Sequence, residues 1–316
     1  MLRRLAAGSA ALLLLALTAC GSGGDTPDDG ENAGETRVVE HLGGETEVPV
    51  DPERVTTLWA PSLSAMLSMG EAPYAYAFNA EPIEGLDYPE GFDIDSLEHV
   101  GHSVELEFES IAAVAPDLII GTSVHEEHYE TLSRIAPTVI LEWDGTGSWK
   151  DHLHDLAEVL GAEESAEQVE SDYQNRVDEV IEAIGNPGDI QVSVIRFHAE
   201  ELRLEVLNSY PGMILSDIGL ARPDIQNVEE PGSGFLPVSM ENLPDADGDV
   251  IFAYTIADAD PDNDNLLDEA QSNPLWNNLD AVQNDAVFSV DYNTWLSANY
   301  IGAHRILDDL EEHLGQ

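Results

Sequence analysis

Short apolar segments alternate with helical segments along most of this chain, and this alternation limits its possible folds more than any other feature. ESIAAVA precedes PDLIIGTS, and HEEHYETLSRIA precedes PTVILEW. Pro116 and Pro137 lack the amide hydrogen that a continuing helix needs, so each ends its helix. All-apolar strands joined by helices are typical of parallel sheets covered on both faces. The pattern therefore predicts an α/β fold.

A long helical region interrupts this alternation at residues 148–186. SWKDHLHDLAEVLGA and ESAEQVESDYQNRVDEVIEAIG have amphipathic spacing, and a Gly-Asn-Pro-Gly turn ends the second segment. The alternation resumes with DIQVSVIRF, YPGMILSDIGLA, DVIFAYT and AVFSVDY, and SANYIGAHRILDDLEEHL closes the chain. We predict two α/β lobes, residues 37–147 and 187–316, with mostly parallel sheets and one long helix between them.

The N-terminal segment has the features of a secretory signal. Arg3 and Arg4 precede the apolar stretch AALLLLAL, which is too short to span a bilayer, and LTAC follows. LTAC resembles the lipobox of bacterial lipoproteins, whose cysteine is diacylated after cleavage; an ordinary signal with an incidental cysteine is the alternative. We predict a signal peptide at residues 1–19 and a lipidated Cys20. A flexible linker without bulky apolar residues should extend through residue 36. Cys20 is the only cysteine, so no internal disulfide is possible.

The charge of the chain is extreme. There are 63 Asp and Glu residues against 11 Lys and Arg, a formal net charge of −52. Self-repulsion on this scale destabilises a compact state unless salt screens it, so the composition indicates a salt-adapted acidic surface. Nucleic acid is excluded as a partner, because binding to phosphates needs a basic surface.

Five segments, in this order along the chain, resemble the substrate-binding lipoproteins of bacterial ABC importers for ferric siderophores. They are RVVEHLGGETEVPVDPERVTTL, ESIAAVAPDLIIG, YETLSRIAPTVIL, NSYPGMILSDIGLARP and NPLWNNLDAVQNDAVFSVDYNTW. The wider group also contains cobalamin and haem binders. The resemblance implies two Rossmann-like lobes joined by one long rigid α-helix, with a ligand cleft between the lobes. It also implies a lipid-anchored protein, expected to be a monomer, at the extracytoplasmic face of the membrane.

The loops after the strands should line that cleft, because parallel sheets bind ligands beyond the carboxyl ends of their strands. Most ferric siderophores carry negative charge and an apolar periphery, so fixed arginines and aromatic faces suit them. The candidate ligand-binding residues are Trp59, Trp143, Arg196, Arg203, Tyr210, Arg222, Tyr254 and Trp295. The alternatives are core packing for the tryptophans and pairing with carboxylates for the arginines; Arg222 also fits a structural residue at a helix end.

Two acidic residues are candidates for contact with the permease. Glu109 opens the helix ESIAAVA, and Glu241 lies in VSMENLP at the corresponding place in the second lobe. The resemblance implies that such a pair, one per lobe, binds arginines of the ABC permease subunits. The alternative is that each carboxylate only stabilises the N-terminus of its own helix.

Other functions are less compatible with the sequence. The segment with Asp258, Asp260, Asp262 and Glu269 imitates a calcium loop but lacks its glycine. HEEH has the wrong spacing for a zinc hydrolase, and GxSxG is missing, which argues against a secreted hydrolase. Cobalamin or haem in the same fold remains the main alternative. We expect no enzyme activity, no protein-bound metal and no cofactor, with iron held by the siderophore.

Overall fold

The chain begins its described part with a hairpin and continues into a five-stranded sheet. The computed structural model describes residues 35–79, 88–198, 201–232, 234–255 and 270–315. The hairpin pairs β1 (Thr36–His41) with β2 (Gly44–Pro49). The first sheet contains β3 (Val55–Thr57), β4 (Ala75–Tyr76), β5 (Glu98–His99), β6 (Leu118–Thr122) and β7 (Thr138–Leu141). Its strands are all parallel, in the order β5-β4-β3-β6-β7.

The helices of this first half are short. They are α1 (Ala60–Ser68), α2 (Phe108–Ala113) and α3 (Tyr129–Leu132). The helix predicted for HEEHYETLSRIA is divided, because residues Ser123–His128 form a 3₁₀ segment before α3. The two-residue strands β4 and β5 carry too little sequence pattern to be predicted.

The helical region at 148–186 consists of two helices, α4 (Trp149–Leu160) and α5 (Glu163–Ile184). Gly161 ends α4 in the left-handed conformation, with φ of 70°, which a glycine adopts without strain. The 22 residues of α5 extend about 33 Å at the usual helical rise. The long helix between the two sheets was thus predicted from sequence.

The second sheet is mixed. Its strands are β8 (Val192–His198), β9 (Glu201–Glu205), β10 (Phe235–Val238), β11 (Val250–Thr255) and β12 (Val287–Ser289). The order is β10-β9-β8-β11-β12; β8, β11 and β12 are parallel, whereas β9 and β10 are antiparallel additions at one edge. Its helices are α6 (Tyr210–Ile218), α7 (Asp280–Gln283), α8 (Tyr292–Trp295) and α9 (Tyr300–Leu314).

Alternate residues of each central strand enter different hydrophobic clusters. In β8, Val192 and Val194 belong to the large core that also contains α4, α5 and α9, whereas Ile195 and Phe197 pack into a cluster on the other face. In β6, Leu118 and Ile120 face the large core and Ile119 faces away from it. Both faces of these strands are buried and need apolar residues, so the sequence of each strand is a continuous apolar run.

The junction between the sheets is rigidly packed. Trp149 of α4 lies in edge contact with Tyr173 of α5, Tyr210 of α6 and Tyr300 of α9. Beside this cluster, Lys150 Nζ lies 2.6 Å from Asp217 Oδ2, to which the Tyr173 hydroxyl also donates. Both sheets belong to one compact unit, Gly34–Gln316. No helix within the described ranges is long and apolar enough to cross a membrane.

Candidate functional site

The register of the second sheet brings two arginines side by side where β8 ends. Arg196 of β8 is paired with Arg203 of β9 on one side and with Tyr254 of β11 on the other. Residues paired in this way point to the same face of a sheet. That face is the one on which Val192 and Val194 enter the large core, so Arg196 is the next residue along the face as β8 leaves that core.

Phe235 of β10 completes this group, and we name Arg196, Arg203 and Phe235 the arginine platform. The guanidinium carbons of Arg196 and Arg203 lie 4.8 and 4.5 Å from the centre of the Phe235 ring. These distances are within the range of cation–π contacts. Two cations held against one ring form a positive surface with an apolar edge, which is suited to an anionic ligand with an apolar periphery.

The two arginines differ in their surroundings. The Arg196 side chain is only 9% exposed, and its Nε lies 3.1 Å from Oε1 of Glu205. The Arg203 side chain is 22% exposed, and its Nε donates to Oε1 of the more exposed Glu201 at 2.9 Å. Arg196 is therefore the more fixed cation, and Arg203 the more hydrated one.

Glu205 lies beside Arg196 but was not predicted from the sequence. It is 1% exposed, and its Oε1 accepts a hydrogen bond from the Tyr254 hydroxyl at 2.9 Å. Burial raises the pKa of Glu205, and the neighbouring Arg196 opposes that rise. Glu205 follows Arg203 by two residues, and side chains two residues apart on a strand point to the same face. This spacing was the only feature of the sequence that could have placed Glu205 beside the arginines.

Two tryptophans lie beyond the ends of strands in the first sheet, and we name Trp59 and Trp143 the aromatic wall. Trp59, two residues after β3, and Trp143, two residues after β7, are half-buried and lie in edge contact with ring centres 6.3 Å apart. Each also contacts a buried histidine: His125 lies beside Trp59, and His152 lies beside Trp143. The structure thus brings together two of the three predicted cleft tryptophans.

The histidines behind this wall are fixed by their hydrogen bonds. Nδ1 of His125 accepts from the Thr122 amide, and its Nε2 lies 2.7 Å from the Ser103 carbonyl, so Nε2 carries the proton. Nε2 of His152 lies 2.8 Å from Ser62 Oγ, and burial lowers the pKa of His152 to about 4. Both histidines support the aromatic wall rather than form part of a metal site.

The two halves of the chain approach each other closely at two glycines. A Cβ at Gly147 would lie 2.4 Å from the Asn208 carbonyl oxygen, and one at Gly145 would lie 2.8 Å from that of Gly232. A cavity of about 410 Å³ lies at this contact, lined by Asp144, Thr146, Gly147, Ser148, Asp151, Leu207, Asn208, Met213, Glu229, Gly232 and Gly234. Its three carboxylates disfavour an anionic ligand in this cavity.

The structure buries the other predicted ligand residues. Tyr210 has no exposed surface and donates to the Asn299 carbonyl at 2.5 Å. Trp295 is likewise buried, stacked on Phe252, with Nε1 donating to Asp309 at 2.7 Å. Tyr254 is 2% exposed. These three side chains are buried rather than exposed at a surface; Tyr254 is paired with Arg196 in the sheet and donates to Glu205.

Arg222 is also internal. Its Nε donates to the Val192 carbonyl at 2.8 Å, and its Nη2 donates to the Glu205 carbonyl and to Gln226 Oε1. Burial lowers the pKa of Arg222 to about 10, so it remains charged at neutral pH. These contacts favour the structural interpretation of Arg222, in which it stabilises the buried ends of β8 and β9.

Glu109 and Glu241 occupy corresponding places in the two halves. Glu109 lies in the first turn of α2, which precedes β6, and Glu241 lies in the first turn of the 3₁₀ segment Met240–Ala246, which precedes β11. β6 and β11 hold the same position in the order of their sheets. Both carboxylates are exposed, and no ion pair engages either within the described part of the chain.

The predicted signal peptide, the lipidated Cys20 and the predicted linker up to residue 34 lie outside the described residues, and so does the calcium-like segment with Asp258, Asp260, Asp262 and Glu269. Across the ranges that are described, no group of three or more His, Cys, Asp and Glu side chains is arranged to hold a metal ion.

Comparison with known proteins identifies the family. A sequence model of the periplasmic binding protein family matches residues 80–294. The probable siderophore-binding lipoprotein YfiY of Bacillus subtilis is 32% identical over 310 residues, which cover 96% of this chain and 95% of that protein. The Fe(3+)-citrate-binding protein YfmC of the same organism is 26% identical, with 90% of this chain and 88% of that protein covered.

A solved structure agrees with this result. Staphylococcus aureus SirA complexed with staphyloferrin B superposes with a TM-score of 0.74 at 28% identity, covering 88% of this chain and 98% of SirA. The predicted α/β architecture with two sheets and a long connecting helix is therefore confirmed. The family is one of substrate-binding proteins rather than of enzymes. Because the family match covers more than half of the sequence, the chain belongs to the periplasmic binding protein family.

Proposed function

We propose that this protein captures a ferric siderophore outside the cell and delivers it to an ABC permease for iron uptake. The observation that carries the proposal is the match along 96% of the chain to a relative named as a siderophore-binding lipoprotein. The arginine platform and the aromatic wall support it, because they offer fixed cations and aromatic faces to one ligand. Iron would be held by the siderophore and would need no ligand from the protein.

The ligand contacts that we propose are Arg196, Arg203 and Phe235 on one side and Trp59 and Trp143 on the other. Fixed side chains lose little entropy on binding, so a preformed site of this kind favours affinity. The packing of α5 against α4, α6 and α9 limits how far the two sheets can move, so we propose a small closure on binding.

The proposed location rests on the N-terminal sequence. We propose cleavage before Cys20, two acyl chains on that cysteine and a flexible linker, which would hold the protein at the extracytoplasmic face of the membrane. Two acyl chains give stable anchoring where one does not. The name of the Bacillus relative, a lipoprotein, supports this proposal. We further propose that the protein acts as a monomer.

A ligand panel tests the proposed function. We expect a ferric siderophore to quench tryptophan fluorescence with micromolar or tighter affinity, and haem and cobalamin to bind at least about 100-fold more weakly. Trp59→Phe/Trp143→Phe should lose most of the quenching, because these two side chains form the aromatic wall. Trp276→Phe is the matched control, since Trp276 lies in a separate buried cluster. Stronger binding of haem or cobalamin than of every ferric siderophore would refute the proposal.

Charge reversal at Glu109 and Glu241 tests the delivery step. We expect Glu109→Lys/Glu241→Lys to lower iron uptake at least about tenfold, because like charges would then meet across the permease contact. Siderophore affinity should change less than about twofold, since both residues are exposed and lie outside the platform and the wall. The control is Glu126→Lys/Glu312→Lys, which makes the same charge change elsewhere. Equal loss of uptake in the control would show that overall charge, and not these two positions, matters.

A further inference from the structure

Among the residues that the structure describes, Glu205 is the one buried carboxylate that contacts the proposed ligand site. It stands at the end of β9, paired with Phe235 of β10 and two residues beyond Arg203, which is paired with Arg196. It therefore lies beneath the arginine platform on the same face of the sheet. A carboxylate this deeply buried persists only where it is paired or hydrogen-bonded.

The groups around Glu205 fix its position from several elements. Its Oε1 accepts from the Tyr254 hydroxyl of β11, and its backbone carbonyl accepts from Arg222 Nη2. The charged and titratable groups that face it are Arg196 on β8, Tyr254 on β11, Arg222 after α6 and Tyr292 on α8. The fixed carboxylate thus cannot follow Arg196 if that side chain turns away.

The contact with Arg196 is a close ion pair. Oε1 of Glu205 lies 3.1 Å from Nε of Arg196, although that N–H is not aligned as a hydrogen bond. An anion at the arginine platform and the carboxylate of Glu205 would both be attracted to the same guanidinium. They would also repel each other through a region from which water is largely excluded.

We propose that Glu205 is the internal counter-charge of Arg196: it holds the guanidinium at the cleft and lowers the positive charge that a ligand meets. Glu205 is then a specificity-determining residue that acts through Arg196. It limits the preference for anionic over neutral ferric complexes. The inference rests on the proposed ligand contact of Arg196.

The test compares an anionic and a neutral ferric complex, for which ferric citrate and a neutral ferric trihydroxamate are suitable. Glu205→Gln keeps an oxygen for Tyr254 and removes the charge. We expect the ratio of anionic to neutral affinity to rise roughly tenfold in Glu205→Gln. Glu201→Gln is the matched control: it removes the charge that pairs with Arg203, but 36% of the Glu201 side chain is exposed to water, so its effect on the ratio should stay within about twofold. An unchanged or lowered ratio in Glu205→Gln would overturn the proposal.

The pH dependence separates a counter-charge from a merely structural residue. Burial raises the pKa of Glu205, and a bound anion would raise it further, so anion binding should be accompanied by proton uptake. The wild type should therefore bind the anion more tightly as pH falls through the raised pKa of this carboxyl group. Glu205→Gln should lack this component. For the same anion, the dissociation constant of the wild type is divided by that of Glu205→Gln at each pH, which cancels the titration of the ligand itself. If this ratio does not change with pH, the proposal is contradicted.

A measurement without ligand distinguishes this proposal from the proposed function. In a double-mutant cycle of unfolding with Arg196→Gln and Glu205→Gln, we expect the pair to be coupled by at least about fivefold in the unfolding equilibrium constant. Failure of the wild type to bind any ferric complex would refute the siderophore function but leave this coupling measurable. Additive effects of the two substitutions would refute the counter-charge itself.

Discussion

Replacing both arginines of the platform should lower the affinity for an anionic ferric complex by about 100-fold or more. Each hydrogen bond between a charged group and its partner contributes about 1.5–3 kcal/mol, so the loss of two arginines corresponds to roughly 3–6 kcal/mol. Arg196→Gln/Arg203→Gln is the variant of choice, and fluorescence or calorimetric titration gives the affinity. A neutral complex should lose less, because its contacts with the platform are mainly apolar.

The matched control removes two charges from exposed positions. Arg134→Gln/Arg305→Gln changes the net charge by the same amount, and both residues are exposed. We expect its affinity to stay within about threefold of the wild type. Because Arg196→Gln leaves Glu205 buried without its cationic partner, thermal unfolding must show that the double variant is still folded. Equal losses in the two double variants would contradict the assignment of the platform.

Salt should stabilise this protein strongly at neutral pH. The formal charge of −52 creates repulsion across the surface, and the Debye length falls from about 30 Å at 0.01 M to about 3 Å at 1 M salt. We expect the melting temperature to rise on the order of 10 °C between 0.05 M and 2 M KCl, equivalent to about 6 kcal/mol for a chain of this size. Differential scanning calorimetry measures this shift.

The control is the same series of melting temperatures in increasing KCl, measured near the isoelectric point. The sequence isoelectric point is about 4.1, where the net charge is close to zero. If salt acts by screening repulsion, the increase in melting temperature should be much smaller at pH 4.1 than at pH 7. An equal increase at both pH values would show that KCl acts by another route, such as a general strengthening of hydrophobic burial.

The parallel part of the fold could be predicted because each of its central strands is a short apolar run that can be recognised from its own residues. PDLIIGTS and DVIFAYT are apolar on both faces, and the prolines before PDLIIGTS and PTVILEW end the preceding helices. The antiparallel strands β9 and β10 were not predicted as sheet edges. ELRLE is short and FLPV contains a proline, so their pairing depends on register with β8 rather than on their own patterns.

The site was only partly predictable for the same reason. Trp59, Trp143 and Arg196 could be predicted as candidates because each lies near the carboxyl end of a parallel strand. That position decides which residues can face a cleft. Tyr210 and Trp295 have equally plausible positions in the sequence, yet both enter the core between the sheets. Glu205 is one of 63 acidic residues, and only the paired strands show that it is buried beneath Arg196.

The most direct measurement is a crystal structure of the protein grown with a saturating anionic ferric siderophore. We predict that the complex lies between the aromatic wall and the arginine platform. Nη atoms of Arg196 and Arg203 should lie within hydrogen-bond distance of its oxygens, and the iron should be coordinated by the siderophore alone. Binding away from these side chains, or a protein side chain on the iron, would contradict the proposed site.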